Sequence, residues 1–226
     1  MALTRQSGLE GLPGVGKARG AALAKLGLAT VGDLLDYYPR DYQDRRKVST
    51  LAAAPAEEPV CVRAVVAQAP RLSRVRAGLE LVKVPIADET GRAVVTFFNQ
   101  SYVQRALTPG EEYVFFGRLE GAGRARQMTN PVFERVDKAR FTGRIMPVYP
   151  LTRGVSNNLI AALTWRCVEE CAQSAPELLP AELRRKYNLA GAPFACANIH
   201  FPVGDAHLAV ARRRLIFEEF FLLSCG

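Results

Sequence analysis

No stretch of about 18 consecutive apolar residues, the length needed to cross a bilayer, occurs in the 226 residues. The opening MALTRQSGLE also lacks the apolar core of a secretory signal, so a cytoplasmic location is expected. Histidine is scarce: His200 and His207, with the scattered Cys61, Cys167, Cys171, Cys196 and Cys225, are all that the chain offers as soft metal ligands. Cys167 and Cys171 lie four apart on one helix, but the set matches no usual zinc spacing. Five cysteines are also an odd count for a disulfide framework, which favours buried, reduced thiols and no metal site. A complete nucleotide-binding loop is missing too. GLPGVGKA at residues 11–18 has two glycines and a lysine, but Ala18 stands where a magnesium-binding hydroxyl belongs. The preceding Thr4, Arg5, Gln6, Ser7 and Glu10 are too polar for a buried parallel strand. With no acidic strand end to serve as its partner, a free-standing nucleotide-binding enzyme is disfavoured. No catalytic residue and no cofactor are assigned to the chain.

What is present is an ordinary globular composition, 49% hydrophobic and 23% charged, with a formal net charge of +8. That excess favours a polyanionic partner. From Lys17 onward Ala18, Ala21, Ala22, Leu23 and Leu26 have helical spacing and Gly27 follows as a stop. A short leading helix, the turn LPGVG and this helix make a helix-hairpin-helix-like segment. Gly14 and Gly16 would let the backbone approach a DNA phosphate at the helix start, with Lys17 and Arg19 adding charge. The alternative is a tight turn that only packs two helices.

From about residue 60 the period changes to two. VCVRAVVAQ, LELVKVPIAD, RAVVTFF, EEYVFFGRLE and RQMTNPVFERV read as five strands. Asp88 to Gly91 is expected as a hairpin turn with glycine at positive φ. Asn99 is expected to cap a helix over 100–107, closed by Thr108-Pro109-Gly110. Five strands with a helix between the third and fourth predict an OB-fold barrel. The fold class is thus α+β with a mainly β core, preceded by the hairpin segment and followed by a helical linker.

The first barrel loop, APRLSRVRAG, carries Arg71, Arg74 and Arg76, and the last, EGAGRARQ, carries Arg124 and Arg126. In an OB-fold these loops flank the binding face, so the five arginines are expected to converge on phosphates; the alternative is a pair of solvated loops. Phe97 and Phe98 are adjacent on a strand and must point to opposite faces. One ring is therefore expected outside, and Tyr102 falls close enough to share its surface. Exposed aromatics beside arginines suit base stacking; packing on a flanking helix is the alternative.

Residues 141–155 read as an extended connector. Ser156 caps a helix over about 157–174 in which Leu159, Leu163, Trp165 and Val168 supply apolar contacts, and further helices are expected near 180–188 and 205–224. The expected organisation is 1–57 helical, 58–138 barrel and 139–226 connector and helical linker.

Several motifs in this order carry a family resemblance: Leu12-Pro13-Gly14-Val15-Gly16; Val31-Gly32-Asp33-Leu34-Leu35 leading to Tyr38-Pro39-Arg40-Asp41-Tyr42-Gln43-Asp44-Arg45; Phe97 to Tyr102; Pro147-Val148-Tyr149-Pro150-Leu151-Thr152; and Ile199-His200-Phe201-Pro202 before Ala211 to Leu215. Over nearly its whole length the chain resembles the N-terminal region of the RecG family of bacterial ATP-dependent DNA helicases. The resemblance implies a wedge that contacts the branch point of replication forks and Holliday junctions, in DNA repair and recombination, while a motor drives fork regression and branch migration. It also implies that an aromatic pair spaced like Phe98 and Tyr102 stacks on bases at the junction. The motor motifs are absent from these residues, and RRRLIFEEFFLLSCG reads as an apolar-striped helix without a cap, as expected of one part of a longer protein. This part is expected to bind branched DNA without hydrolysing ATP, as a monomer in the bacterial cytoplasm at the nucleoid; ATP and magnesium belong to the motor. The alternative is an OB-fold protein-interaction module that grips a partner such as single-strand DNA-binding protein.

Overall fold

A computed structural model describes residues 3–56, 58–121, 123–138 and 141–225, the side chain of Arg124 excepted. The chain forms two compact units, Met1–Gln43 with Arg144–Gly226, and Asp44–Gly143. This differs from the three consecutive segments expected, because both ends of the chain contribute to one unit.

In the first unit a single 3-10 turn, Leu9–Gly11, replaces the expected leading helix. Helix α1 (Lys17–Ala24) follows, and Gly27 adopts φ of +76° just beyond it, the usual glycine conformation past a helix end. Helix α2 (Val31–Leu35) starts at a reciprocal capping box. Asp33 N–H donates to Thr30 Oγ1 at 3.1 Å and Thr30 N–H donates to Asp33 Oδ2 at 2.8 Å. The bond from the Thr30 backbone, then that from Ala29, holds the Asp33 carboxyl below the usual carboxylate range. Strand β1 (Asp41–Asp44) follows.

The second unit contains β2 (Val48–Ser49), β3 (Pro59–Val66), β4 (Arg71–Arg76), β5 (Leu79–Ala87), β6 (Arg92–Phe98), helix α3 (Val103–Ala106), β7 (Glu112–Glu120), β8 (Gln127–Thr129) and β9 (Val132–Arg135). Strand β3 is antiparallel to both β5 and β7, β5 is antiparallel to β6, β6 is parallel to β8, and β8 is antiparallel to β7. These pairings close a five-stranded ring, with α3 between its third and fourth strands, which is the OB-fold topology. Alternate side chains fill it: Val62, Val84, Val95, Phe97, Phe115 and Met128 are fully buried. Phe97 meets Phe133 edge-on, with 5.6 Å between ring centres.

The barrel departs from expectation in four places. The first arginine loop is instead strand β4, paired with β5 and bulged between Arg74 and Arg76. The fifth strand is broken at Asn130-Pro131, since proline cannot donate to a ladder; β8 pairs with β6 and β7, while β9 pairs farther along β7. Gly117 lies under this break, where an added Cβ would stand 3.0 Å from the Met128 sulfur and 3.4 Å from Pro131 Cα. Asn99 caps no helix: α3 is only four residues long and its N-cap is Tyr102. Gly91 is not among the positive-φ residues. Asp88 makes the turn instead, its Oδ1 accepting from Thr90 N–H at 2.7 Å and Gly91 N–H at 2.8 Å.

Returning to the first unit, β10 (Ile145–Val148) pairs with β1, so the expected connector contains a sheet strand. Helix α4 (Asn157–Cys171) is capped by Ser156, whose Oγ accepts from Leu159 N–H at 3.3 Å. Helices α5 (Ala181–Lys186), α6 (Ala192–His200) and α7 (Asp205–Cys225) complete the unit. Sequence reading overlooked α6 because Pro193 reads as a breaker, yet it stands in the first turn, where no N–H is needed. Trp165 meets Phe201 edge-on at 4.8 Å, and the Arg144 guanidinium lies 4.4 Å from its ring centre. The side chain of Arg214 is wholly buried and bridges Glu177, at 2.6 Å, and Glu218. Cys61, Cys167, Cys171 and Cys196 are buried free thiols. Burial pushes the Cys167 thiol up to about 12 and that of Cys196 to about 11. Among the described residues no helix is long and apolar enough to cross a membrane.

Candidate nucleic-acid interface

The end of β6 separates its two phenylalanines as strand geometry requires: Phe97 is 0% exposed and Phe98 is 39% exposed. Tyr102, at the start of α3, is 61% exposed. Both outward rings therefore belong to one short turn, and hydrogen bonds fix that turn from two sides.

On the β5 side, Asn99 N–H donates to the Glu80 carbonyl at 2.8 Å, and Glu80 N–H donates to Asn99 Oδ1 at 2.9 Å. Asn99 has φ of +53°. This left-handed conformation is one that asparagine tolerates better than most residues. On the β8 side, Asn130 Oδ1 accepts from Phe98 N–H at 2.8 Å and from Gln100 Nε2 at 3.2 Å. The Tyr102 hydroxyl donates to Gln100 Oε1 at 3.0 Å. The backbone that carries the two rings is thus held by side-chain amides.

The arginine hairpin stands next to this turn. Register places Arg71 opposite Lys83, Arg74 opposite Glu80 and Arg76 opposite Leu79, while Leu81 of the same β5 strand faces Phe98. Arg71, Arg74 and Arg76 are exposed. Arg74 Nε donates to Glu80 Oε1 at 2.9 Å, and Glu80 is the residue bound to Asn99. Arg74, Arg76, Gly78, Glu80 and Asn99 line one cleft. A phosphate in that cleft would meet two guanidinium groups and one carboxylate, beside two rings able to stack on bases.

Of the second arginine loop, the structure describes the side chain of Arg126. Arg126 Nη1 donates to the backbone carbonyls of Leu51 and Ala54, the latter at 3.4 Å, so its charge is engaged within the barrel unit. Its own carbonyl accepts from Val94 N–H, four residues before Phe98 and about 13 Å away along the strand. The Arg124 side chain lies outside the described residues.

The hairpin segment of the other unit presents a second set of candidates. Leu12 and Val15 are buried, whereas Gly14, Gly16 and Lys17 are exposed. Gly14 takes φ of +88°, and Gly16 is the N-cap of α1. Arg19 Nη1 donates to the Gly14 carbonyl at 2.7 Å, so Arg19 braces the turn. Sequence reading missed Asn99 and Asn130 as supports of the aromatic turn. The Asn-Pro pair at 130–131 was the available signal, because it marks a turn.

The chain has clear relatives. A family model described as the RecG wedge domain matches residues 12–169. The ATP-dependent DNA helicase RecG of Synechocystis sp. is 33% identical over 221 residues, covering 90% of this chain and 26% of that protein. Its counterpart in Thermotoga maritima is 30% identical over 213 residues, covering 93% of this chain and 27% of the relative. A solved structure of RecG bound to a three-way DNA junction superposes with a TM-score of 0.82 at 29% identity, over 96% of this chain and 30% of that one. The chain therefore spans about a quarter of the length of these curated relatives.

Proposed function

Because the chain belongs to the RecG wedge-domain family, we propose that its barrel is the branched-DNA-binding wedge of a RecG-like ATP-dependent DNA helicase. The observation that carries this reading is the pair of exposed rings, Phe98 and Tyr102, on a hydrogen-bonded turn beside the Arg74–Arg76 hairpin. The rings stack on bases at the branch point, where pairing is already interrupted and a base face is available. Arg74 and Arg76, with Arg71 farther along the hairpin, neutralise backbone phosphates of an adjoining strand. The arginines provide affinity and the rings provide the preference for a branch. Gly14, Gly16 and Lys17 are a second phosphate contact in the same role, with the turn braced by Arg19. The reading includes a monomer in the bacterial cytoplasm and fork regression driven by a motor that supplies the ATP and magnesium chemistry. Single-strand DNA-binding protein is a second partner in it.

Fluorescence anisotropy with labelled three-way junction, plain duplex and single strand, each over a range of salt, tests the reading. The junction is expected to bind tightest, with log affinity falling linearly against log salt as counterions are displaced. Equal, weak binding to all three DNAs overturns it.

A further inference from the structure

Resting on the reading of Phe98 and Tyr102 as base-stacking residues, we propose that Asn130 is the positioning residue for that pair, acting on Phe98 directly and on Tyr102 through Gln100. The β6–β8 ladder ends at Thr96 opposite Thr129. Asn130 comes next and leaves the ladder, with φ of +45°. Its N–H donates to the Thr96 carbonyl at 2.8 Å, which anchors it to β6. From there its side-chain oxygen takes the place of the missing strand partner and accepts Phe98 N–H at 2.8 Å. A carbonyl oxygen has two acceptor positions. The second is filled by Gln100 Nε2 at 3.2 Å, which turns Gln100 Oε1 towards the Tyr102 hydroxyl at 3.0 Å.

One oxygen thus organises both rings. Tyr102 is 61% exposed, so packing alone does little to hold its ring. Without the relay the ring samples several rotamers and must be ordered when it meets a base, which weakens stacking. Ordering one side chain corresponds to a loss of about 2- to 12-fold in affinity. The loss falls on branched DNA, because plain duplex offers no unpaired base face. Phosphate contacts, and with them the salt dependence, stay unchanged.

Asn130→Gly keeps the left-handed backbone accessible and removes the acceptor, whereas Asn130→Asp keeps the acceptor. Each variant is compared with the unaltered chain using a junction carrying 2-aminopurine at the branch point. Ring stacking quenches that base. Asn130→Gly is expected to lower the junction-to-duplex affinity ratio by about 2- to 12-fold and to reduce quenching, with an unchanged salt slope. Asn130→Asp is expected to retain quenching and most of the ratio, although its charge weakens binding to both DNAs. If Asn130→Gly does not melt cooperatively, Gln100→Ala carries the test, since it breaks only the relay to Tyr102. Reduced quenching in that variant supports the proposal. Quenching and ratio equal to the unaltered chain, in whichever of these two variants folds, overturn it. An unaltered chain that neither prefers the junction nor quenches would overturn the wedge reading itself.

Discussion

Glu80 and Asn99 exchange two hydrogen bonds, from Asn99 N–H to the Glu80 carbonyl at 2.8 Å and from Glu80 N–H to Asn99 Oδ1 at 2.9 Å. A non-glycine residue at φ of +53° carries a conformational cost, which asparagine reduces through local hydrogen bonding. Asn99→Ala loses both that tolerance and the side-chain acceptor, so it is expected to destabilise the barrel by about 1–2 kcal/mol. Asn99→Gly recovers the conformation and is expected to lose less. Urea midpoints order the three proteins, and an alanine variant as stable as the parent would show that the exchange does not hold the turn.

The two neighbouring phenylalanines separate stability from binding. Phe97 is fully buried against Phe133, and Phe97→Ala is expected to cost about 3–5 kcal/mol of stability. Phe98→Ala and Tyr102→Ala remove exposed rings. They are expected to leave the unfolding midpoint nearly unchanged and to weaken junction binding by about 1–3 kcal/mol for each stacked base. Thermal melts and anisotropy on the same samples test this. An unfolded Phe98→Ala or Tyr102→Ala would place that ring in the core.

The barrel arginines Arg74 and Arg126 are expected to divide in the same way. Arg74 is 80% exposed and pairs with Glu80 at 2.9 Å; a surface pair of this kind contributes about 0–1 kcal/mol. Arg74→Ala should therefore fold normally and reduce the slope of log affinity against log salt by about one phosphate contact. Arg126 instead binds the Leu51 and Ala54 carbonyls. Arg126→Ala is expected to lower stability and to leave the salt slope unaltered. The opposite assignment of slopes would return Arg126 to the interface.

These residues also indicate what a sequence can disclose. The barrel strands were most legible where alternate side chains are buried, and period two survives in Val62 to Val66 and Arg92 to Phe98. Strand β4 was not legible, since its side chains are exposed on both faces apart from partly buried Leu72. Exposure removes the alternation that identifies a strand. The break at Asn130 was obscured because Met128 is buried in β8 and Val132 to Glu134 are partly buried in β9, so buried positions lie on both sides of it. That one of Phe97 and Phe98 is exposed followed from strand geometry, whereas the choice of Phe98 came from the family resemblance. Arg126 could not be separated from Arg74 in the same way, because an arginine that binds a carbonyl and one that stays exposed have the same letter, and both segments read as loops in the sequence.

A last expectation concerns acid. His200 is fully buried in the first unit, with Nε2 2.9 Å from the Leu35 carbonyl and Nδ1 3.0 Å from the Tyr149 hydroxyl. A carbonyl only accepts, so Nε2 carries the proton and Nδ1 accepts from Tyr149; the ring is neutral. Burial pushes its pKa down to about 4, with the Leu35 bond opposing the shift. An unfolded histidine titrates near 6.5. Above that pH both states are neutral and His200 adds no pH dependence. Between about 6.5 and 4 the unfolded chain takes up a proton that the folded chain declines, so stability falls as pH falls, by about 3 kcal/mol in all. Carboxylates held below their usual range, such as Asp33, add their own loss only near and below about pH 4. The window from pH 6.5 to 5 therefore isolates the histidine. Urea unfolding of this unit across that window is expected to show a declining midpoint, and His200→Gln, less stable at pH 7, is expected to flatten it. A flat profile in the unaltered protein would mean that His200 is protonated in the folded state and that the Tyr149–His200–Leu35 arrangement is not the one described.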